Sequence, residues 1–207
     1  SVKDVTFTWG SATERYAKSQ PATGVKKLSL YAWRGERVQA QAVISTPKEI
    51  EKVSLRMTDF TSGKNTIGSE SVSKYFGGYV LTGPADWKDS TLHADRLDDA
   101  SQVIKIAGNT TRPVWLDICV PHNAKPGKYT ASLIISCDGK DLKLPLTLEV
   151  GKRELPAVKD WHFHLDLWQN PYAVARYFNV PLWSEEHFAR MRPIMEKYAS
   201  AGGKAVT

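Results

Sequence analysis

The 207-residue sequence predicts a mainly β protein: an immunoglobulin-like or jelly-roll-like β-sandwich followed by the truncated first βα unit of a (β/α)₈ barrel. Three observations predict it. Short β-type runs separated by Gly, Pro, Asn and Asp fill residues 26–150, the spacing of an all-β sandwich. A polar, proline-closed connector follows at Gly151-Lys152-Arg153-Glu154-Leu155-Pro156, as at domain boundaries. Beyond it the chain turns aromatic and then helical.

The runs are 26–33, 37–45, 52–60, 78–81, 102–106, 114–120, 129–137 and 142–150. In the sixth, Val114, Leu116, Ile118 and Val120 alternate with a mixed set, so one strand face is buried. Pro121 and Pro126-Gly127 then supply a turn, because proline lacks a ladder donor and glycine tolerates positive φ. That turn predicts a hairpin whose arms carry Cys119 and Cys137, with position 119 opposite about position 133 and the thiols too far apart to bond. Residues 83–99 have no period and predict a long surface loop. The domain plan is a sandwich over 1–153, a linker over 154–160 and a barrel portion over 161–207.

Within that last portion, 161–168 predicts an aromatic-rich strand and 184–201 a helix with Ser184 as N-cap. His187 takes the place where a capping box carries an acid or amide. Pro193 predicts a kink, and Phe188, Met191, Met195 and Tyr198 a buried stripe, covered by the sandwich or by a second copy. Gly202-Gly203 stops the helix and Lys204 opens a second strand. One βαβ unit needs parallel neighbours and two covered faces, which predicts truncation inside a larger α/β domain.

Composition narrows the function. Hydrophobic residues make up 42% and charged residues 24%, ordinary globular usage. No apolar run approaches the roughly 20 residues that span a bilayer, and Ser1 opens into polar sequence without the pattern of a signal peptide. The net charge of +6 is scattered among acids rather than gathered into a stripe, which argues against a nucleic-acid partner. Two free cysteines leave the compartment unread.

Three segments together look like a known family: Gly35-Glu36-Arg37-Val38-Gln39-Ala40-Gln41, the turn Val120-Pro121-His122-Asn123-Ala124-Lys125-Pro126-Gly127-Lys128-Tyr129, and Leu144-Pro145-Leu146-Thr147-Leu148-Glu149-Val150. They resemble the N-terminal β-sandwich of family 123 glycoside hydrolases. Phe163-His164-Leu165-Asp166-Leu167-Trp168-Gln169-Asn170-Pro171 resembles the start of the catalytic barrel of the same proteins. The resemblance implies a secreted, periplasmic or surface-exposed bacterial enzyme that removes terminal N-acetylgalactosamine with retention. In that chemistry the substrate's acetamido group is the nucleophile, an aspartate orients it and the following glutamate protonates the leaving oxygen. No Asp-Glu dipeptide occurs in the 207 residues, so no catalytic residue is carried over and the chain by itself is expected to be inactive.

Asp166, Trp168, Gln169 and Asn170 fall at the C-terminal end of the first barrel strand, where barrel active sites assemble. They are the candidate substrate contacts: a carboxylate and two amides for hydroxyls, an aromatic face for a sugar ring. His162, His164 and Asp166 would share a strand face with Trp168 and suit a metal site, but polar filling of the barrel is the better reading, and neither metal nor cofactor is expected. Trp9, Asp86-Trp87 and the 75–79 segment could form a glycan platform, against which packing is the stronger reading. Asp95, Asp98 and Asp99 lack a calcium-loop pattern. The alternative function is a non-catalytic carbohydrate-binding or adhesion sandwich.

Overall fold

The computed structural model describes residues 4–83 and 90–205, and the chain divides into two compact units, 1–155 and 156–207. Among the described residues, twelve strands make up the first. In chain order they are β1 (Thr6–Gly10), β2 (Leu28–Arg34), β3 (Arg37–Thr46), β4 (Ile50–Met57), β5 (Phe60–Ser62), β6 (Asn65–Ile67), β7 (Val72–Thr82), β8 (Thr91–Asp99), β9 (Ile104–Ile106), β10 (Thr110–Cys119), β11 (Gly127–Cys137) and β12 (Lys140–Glu154). One sheet runs β1-β3-β10-β7-β8 and the other β2-β12-β11-β4-β9, with β5 and β6 attached beside β11.

The alternation in β10 does what its period requires: Val114, Leu116 and Ile118 are buried while Trp115 and Asp117 stay partly open. Facing them, Leu133, Ile135 and Cys137 of β11 and Leu144, Leu146 and Leu148 of β12 complete one shared core, so each sheet buries one face and the pair forms a sandwich. Trp9 crosses between the layers, its indole N–H donating to the Pro145 carbonyl at 2.7 Å. Trp9 and Phe76 are core residues, which assigns them to packing. Trp87 lies outside the described residues.

The chain changes sheets twice at one end. Gly35, at φ 77°, joins β2 to β3, and 120–126 joins β10 to β11. The two crossings are tied together: the Gly35 N–H donates to the Val120 carbonyl at 2.9 Å, and the Val120 N–H to Glu36 at 2.8 Å. Tyr129, buried at the start of β11, donates its hydroxyl to the Lys125 carbonyl at 2.7 Å, a corner that fixes the crossing by a side chain reaching back four residues.

This corrects the predicted hairpin. β10 pairs with β3 and β7, whereas β11 pairs with β12 and β4. A Pro-Gly turn reverses the chain without saying which sheet receives it. Cys119 and Cys137 therefore belong to different sheets, and both are free. The predicted loop over 83–99 is also corrected, because 91–99 is β8, paired with β7 around a register shift between Gly78 and Tyr79. As an edge strand with little burial and a bulged partner it has no clean alternation to read.

The second unit departs further. Its helices are α1 (Pro171–Phe178) and α2 (Glu185–Ser200). The strand predicted over 161–168 is a single parallel bridge, Leu165 to Gly203, since a strand flanked on one side by one short segment has few ladder partners to hold it. His162, His164, Asp166 and Trp168, all exposed, therefore share no strand face. The predicted stripe of α2 is corrected too: His187 and Tyr198 are its buried residues, Met191 and Met195 are half-buried and Phe188 is exposed. Among the described residues no helix is long and apolar enough to cross a membrane.

Candidate functional site

Tyr198 organises the second unit from the end of α2. Its hydroxyl donates to the Leu165 carbonyl at 2.8 Å and accepts from the Leu167 N–H at 3.3 Å, which anchors the segment that leads to the candidate contacts. Gln169 folds its Nε2 onto the Leu167 carbonyl at 2.7 Å. Asn170 is the N-cap of α1, its Oδ1 accepting from the Ala173 N–H at 3.0 Å, with Pro171 behind it at a position that tolerates a missing N–H. Asn179 ends the helix in the left-handed conformation at φ 52°.

The return to α2 is made by Trp183, a bulky residue held at φ 62°, a region that costs about 1–3 kcal/mol away from glycine. Its surroundings hold it there. The Trp183 N–H donates to His187 Nδ1 at 2.9 Å, and His187 Nε2 meets the Pro171 carbonyl at 2.9 Å. A backbone N–H can only donate and a carbonyl can only accept, so Nδ1 is the acceptor and Nε2 carries the proton. His187 is 0% exposed and clamps the start of α2 to the start of α1. Ser184 caps α2, its Oγ accepting from the His187 N–H at 3.1 Å. The histidine thus stands at the capping-box position but reaches one residue further back, to Trp183. The Trp183 ring packs edge-on against Tyr172, with centroids 5.8 Å apart, and against His187 at 5.4 Å.

Between α1 and α2 lies an apolar groove of about 540 Å³, rimmed by Gln169, Asn170 and Arg192 and floored by Val174, Trp183, Met191 and Met195. It brings two of the four candidate contacts together. Gln169 and Asn170 stand at its rim, with one amide atom of each bonded to backbone. Asp166 and Trp168 are not part of the lining, and Trp168 is 88% exposed. Trp183 and His187 are the residues that sequence reasoning missed; the readable signal was Asn170-Pro171, an N-cap followed by proline, which announces α1. No group of three or more His, Cys, Asp or Glu suited to a metal ion occurs among the described residues.

A two-sheet sandwich joined to a helical unit with an amide-rimmed groove matches one family in both parts. The model of the glycoside hydrolase 123 N-terminal domain matches residues 9–137, and that of the glycoside hydrolase 123 catalytic domain matches residues 168–207. The chain belongs to glycoside hydrolase family 123. Its fold agrees with the structure of a family 123 glycoside hydrolase from Clostridium perfringens, described in connection with glycolipid glycan hydrolysis, at a TM-score of 0.89 and 23% identity. The match covers 98% of this chain and 37% of that one, so the chain spans little more than a third of that enzyme's length. AvmM, which catalyses macrocyclization in alchivemycin A biosynthesis, matches at a TM-score of 0.38 and 6% identity over 74% of this chain and 93% of that one. The PapD-like domain 7 of human CEP192 matches at 0.34 and 10% identity over 73% and 87%. No curated protein matches the chain at a significant level.

Proposed function

We propose that the chain is the N-terminal scaffold and the beginning of the catalytic barrel of an exported, retaining β-N-acetylgalactosaminidase that uses the acetamido group of its substrate as nucleophile. The observation that carries this reading is the order of the two family matches, N-terminal domain over 9–137 and catalytic domain over 168–207. On this reading the sandwich is 1–153, the linker 154–160, and 161–207 supplies the first strand, helix and second strand of a (β/α)₈ barrel, with the Leu165–Gly203 bridge as the seed of the parallel pairing. Later barrel elements, or a second copy, would cover the open side of α2 around Phe188.

Asp166, Trp168, Gln169 and Asn170 are proposed to contact the sugar. The acid that protonates the leaving oxygen and the carboxylate that orients the acetamido group would come from an Asp-Glu pair, which these 207 residues lack. Substrate-assisted cleavage needs both groups rigidly placed. The test is hydrolysis of an aryl N-acetyl-β-galactosaminide by the 207-residue chain and by the chain extended through the rest of its reading frame. Turnover is expected only from the extended protein, lowered about ten- to a hundredfold by Asp166→Ala through lost orientation of substrate. Turnover by the 207-residue chain that a chelator or Asp166→Ala abolishes would replace this reading with a local or metal-dependent site.

A further inference from the structure

The outer face of the β1-β3-β10-β7-β8 sheet carries a second concavity, away from the core and unused by the proposed chemistry. Its floor is set by strand register. Trp115 on β10 lies opposite Tyr75 on β7 and Gln41 on β3, and residues paired in this way project from the same side of a sheet. Because Val114 and Leu116 point into the core, Trp115 and Tyr75 stand side by side on the outside, both half-buried. The indole N–H of Trp115 has no hydrogen-bond partner among the described residues.

The walls are polar and preformed. One is the 11–16 turn, which Gln41 fastens to the sheet by donating from Nε2 to the Ser11 carbonyl at 2.5 Å and the Glu14 carbonyl at 2.9 Å. Tyr16, 1% exposed, lies over bare Gly10, where any side chain would collide with its hydroxyl. The other wall is β8. Arg15 and Asp95 face each other at 3.6 Å, too far for a hydrogen bond and too exposed to gain much as an ion pair. Arg96 is held flat by both oxygens of Asp98, at 2.7 and 3.0 Å.

The enclosed volume is about 260 Å³, below the roughly 300–1,000 Å³ that holds a drug-sized molecule and suited to a single ring. Glu14 and Asp95 line it with Arg15 and Arg96, and Arg96 is already held by Asp98, so the concavity offers no uncompensated positive charge to an anion. An aromatic floor with planar hydrogen-bonding groups at the edges fits a neutral polyol that presents one apolar face. We infer that this face is a glycan subsite, with one pyranose ring laid on Trp115 and its hydroxyls between Arg15 and Asp95, distinct from the α1–α2 groove. The inference rests on the reading that the protein works on glycans, which gives this face a ligand to meet.

The test is nitrogen-15 indole NMR of the 207-residue chain, titrated separately with N-acetylgalactosamine, galactose, N-acetylglucosamine, glucose and inorganic phosphate. At least one sugar is expected to move the Trp115 indole resonance saturably, with a Kd of about 1 mM, equivalent to about 4 kcal/mol, and phosphate is expected not to. Arg15→Ala, whose side chain is 68% exposed and therefore not needed for folding, should weaken that Kd about tenfold. Trp115→Ala, followed by saturation transfer to the sugar because it removes the reporting indole, should abolish binding, and Lys64→Ala in the exposed turn between β5 and β6 should leave it unchanged. A Trp115 resonance that no sugar moves, one that phosphate moves equally, or binding that survives both Arg15→Ala and Trp115→Ala overturns the inference. Sugar binding lost only in Asn170→Ala also overturns it while leaving the hydrolase reading intact; failure of that reading shows instead as an extended protein that binds at Trp115 and hydrolyses nothing.

Discussion

At Cys137 and Tyr79 burial sets the chemical state of the side chain. The Cys137 thiol, 0% exposed in the sandwich core, is pushed up to about 11 by burial, reinforced by the carboxylates of Asp138 and Asp141. Tyr79, whose hydroxyl donates to the Thr111 carbonyl at 2.7 Å, is pushed up to about 12 by burial against the opposing pull of Arg112. Both groups hold their protons more tightly in the folded chain than in the unfolded one. Their contribution to stability is therefore complete below the ordinary values of 9.0 and 10.0 and is lost as pH rises through about 11 and about 12. Urea midpoints should fall over that alkaline window, and in Cys137→Ala the decline should begin later although the variant starts less stable. A decline that begins at the same pH in both proteins would remove the thiol from the explanation. With a thiol reagent at neutral pH, half-buried Cys119 should react in the folded chain and Cys137 only after unfolding.

Two elements depend on one polar side chain each. Tyr129→Phe takes the hydroxyl from the Lys125 carbonyl at the crossing between sheets and should cost about 1–3 kcal/mol, read as a lower urea midpoint with an unchanged slope. His187→Ala strips partners from the Trp183 N–H and the Pro171 carbonyl together. It should open the α1–α2 connection to proteases and speed amide exchange at Trp183, leaving the sandwich strands untouched; unchanged exchange at Trp183 would show that the ring stacking alone holds the turn. These same elements mark how far the sequence can be read. The strands around β10 were legible because a buried face imposes period two on the residues themselves. β8 was not, because an edge strand beside a bulge buries too little to leave a pattern. The β10–β11 crossing was misread because turn residues encode reversal and not destination. Of the groove, Gln169 and Asn170 were singled out by their place at the end of the expected barrel strand, whereas Trp183 and His187 act through a left-handed backbone and contacts across 11 to 16 residues, for which no local spacing exists.

For the whole molecule, the distribution of buried apolar side chains decides which part folds by itself. Every residue of the shared hydrophobic core lies between Phe7 and Val150. Among the described residues, the only side chains the second unit buries fully are those of Ala175, His187 and Tyr198, and its groove leaves Met191, Met195 and Phe188 open or half-open. A domain's stability is the small excess of burial over chain entropy, so a unit of some 50 residues with so little buried side chain is marginal alone. The sandwich is therefore expected to fold independently of residues beyond the 151–159 connector. Limited proteolysis should cut in or after that connector first, and the resulting fragment of about 155 residues should keep a single cooperative melting transition at a temperature close to that of the intact chain. The second unit should lose its helical circular dichroism at a lower temperature, before the sandwich melts. Loss of all cooperative melting after the cut would show that residues 156–207 supply stability that their own burial does not reveal, and would move the folding unit from the sandwich to the whole chain.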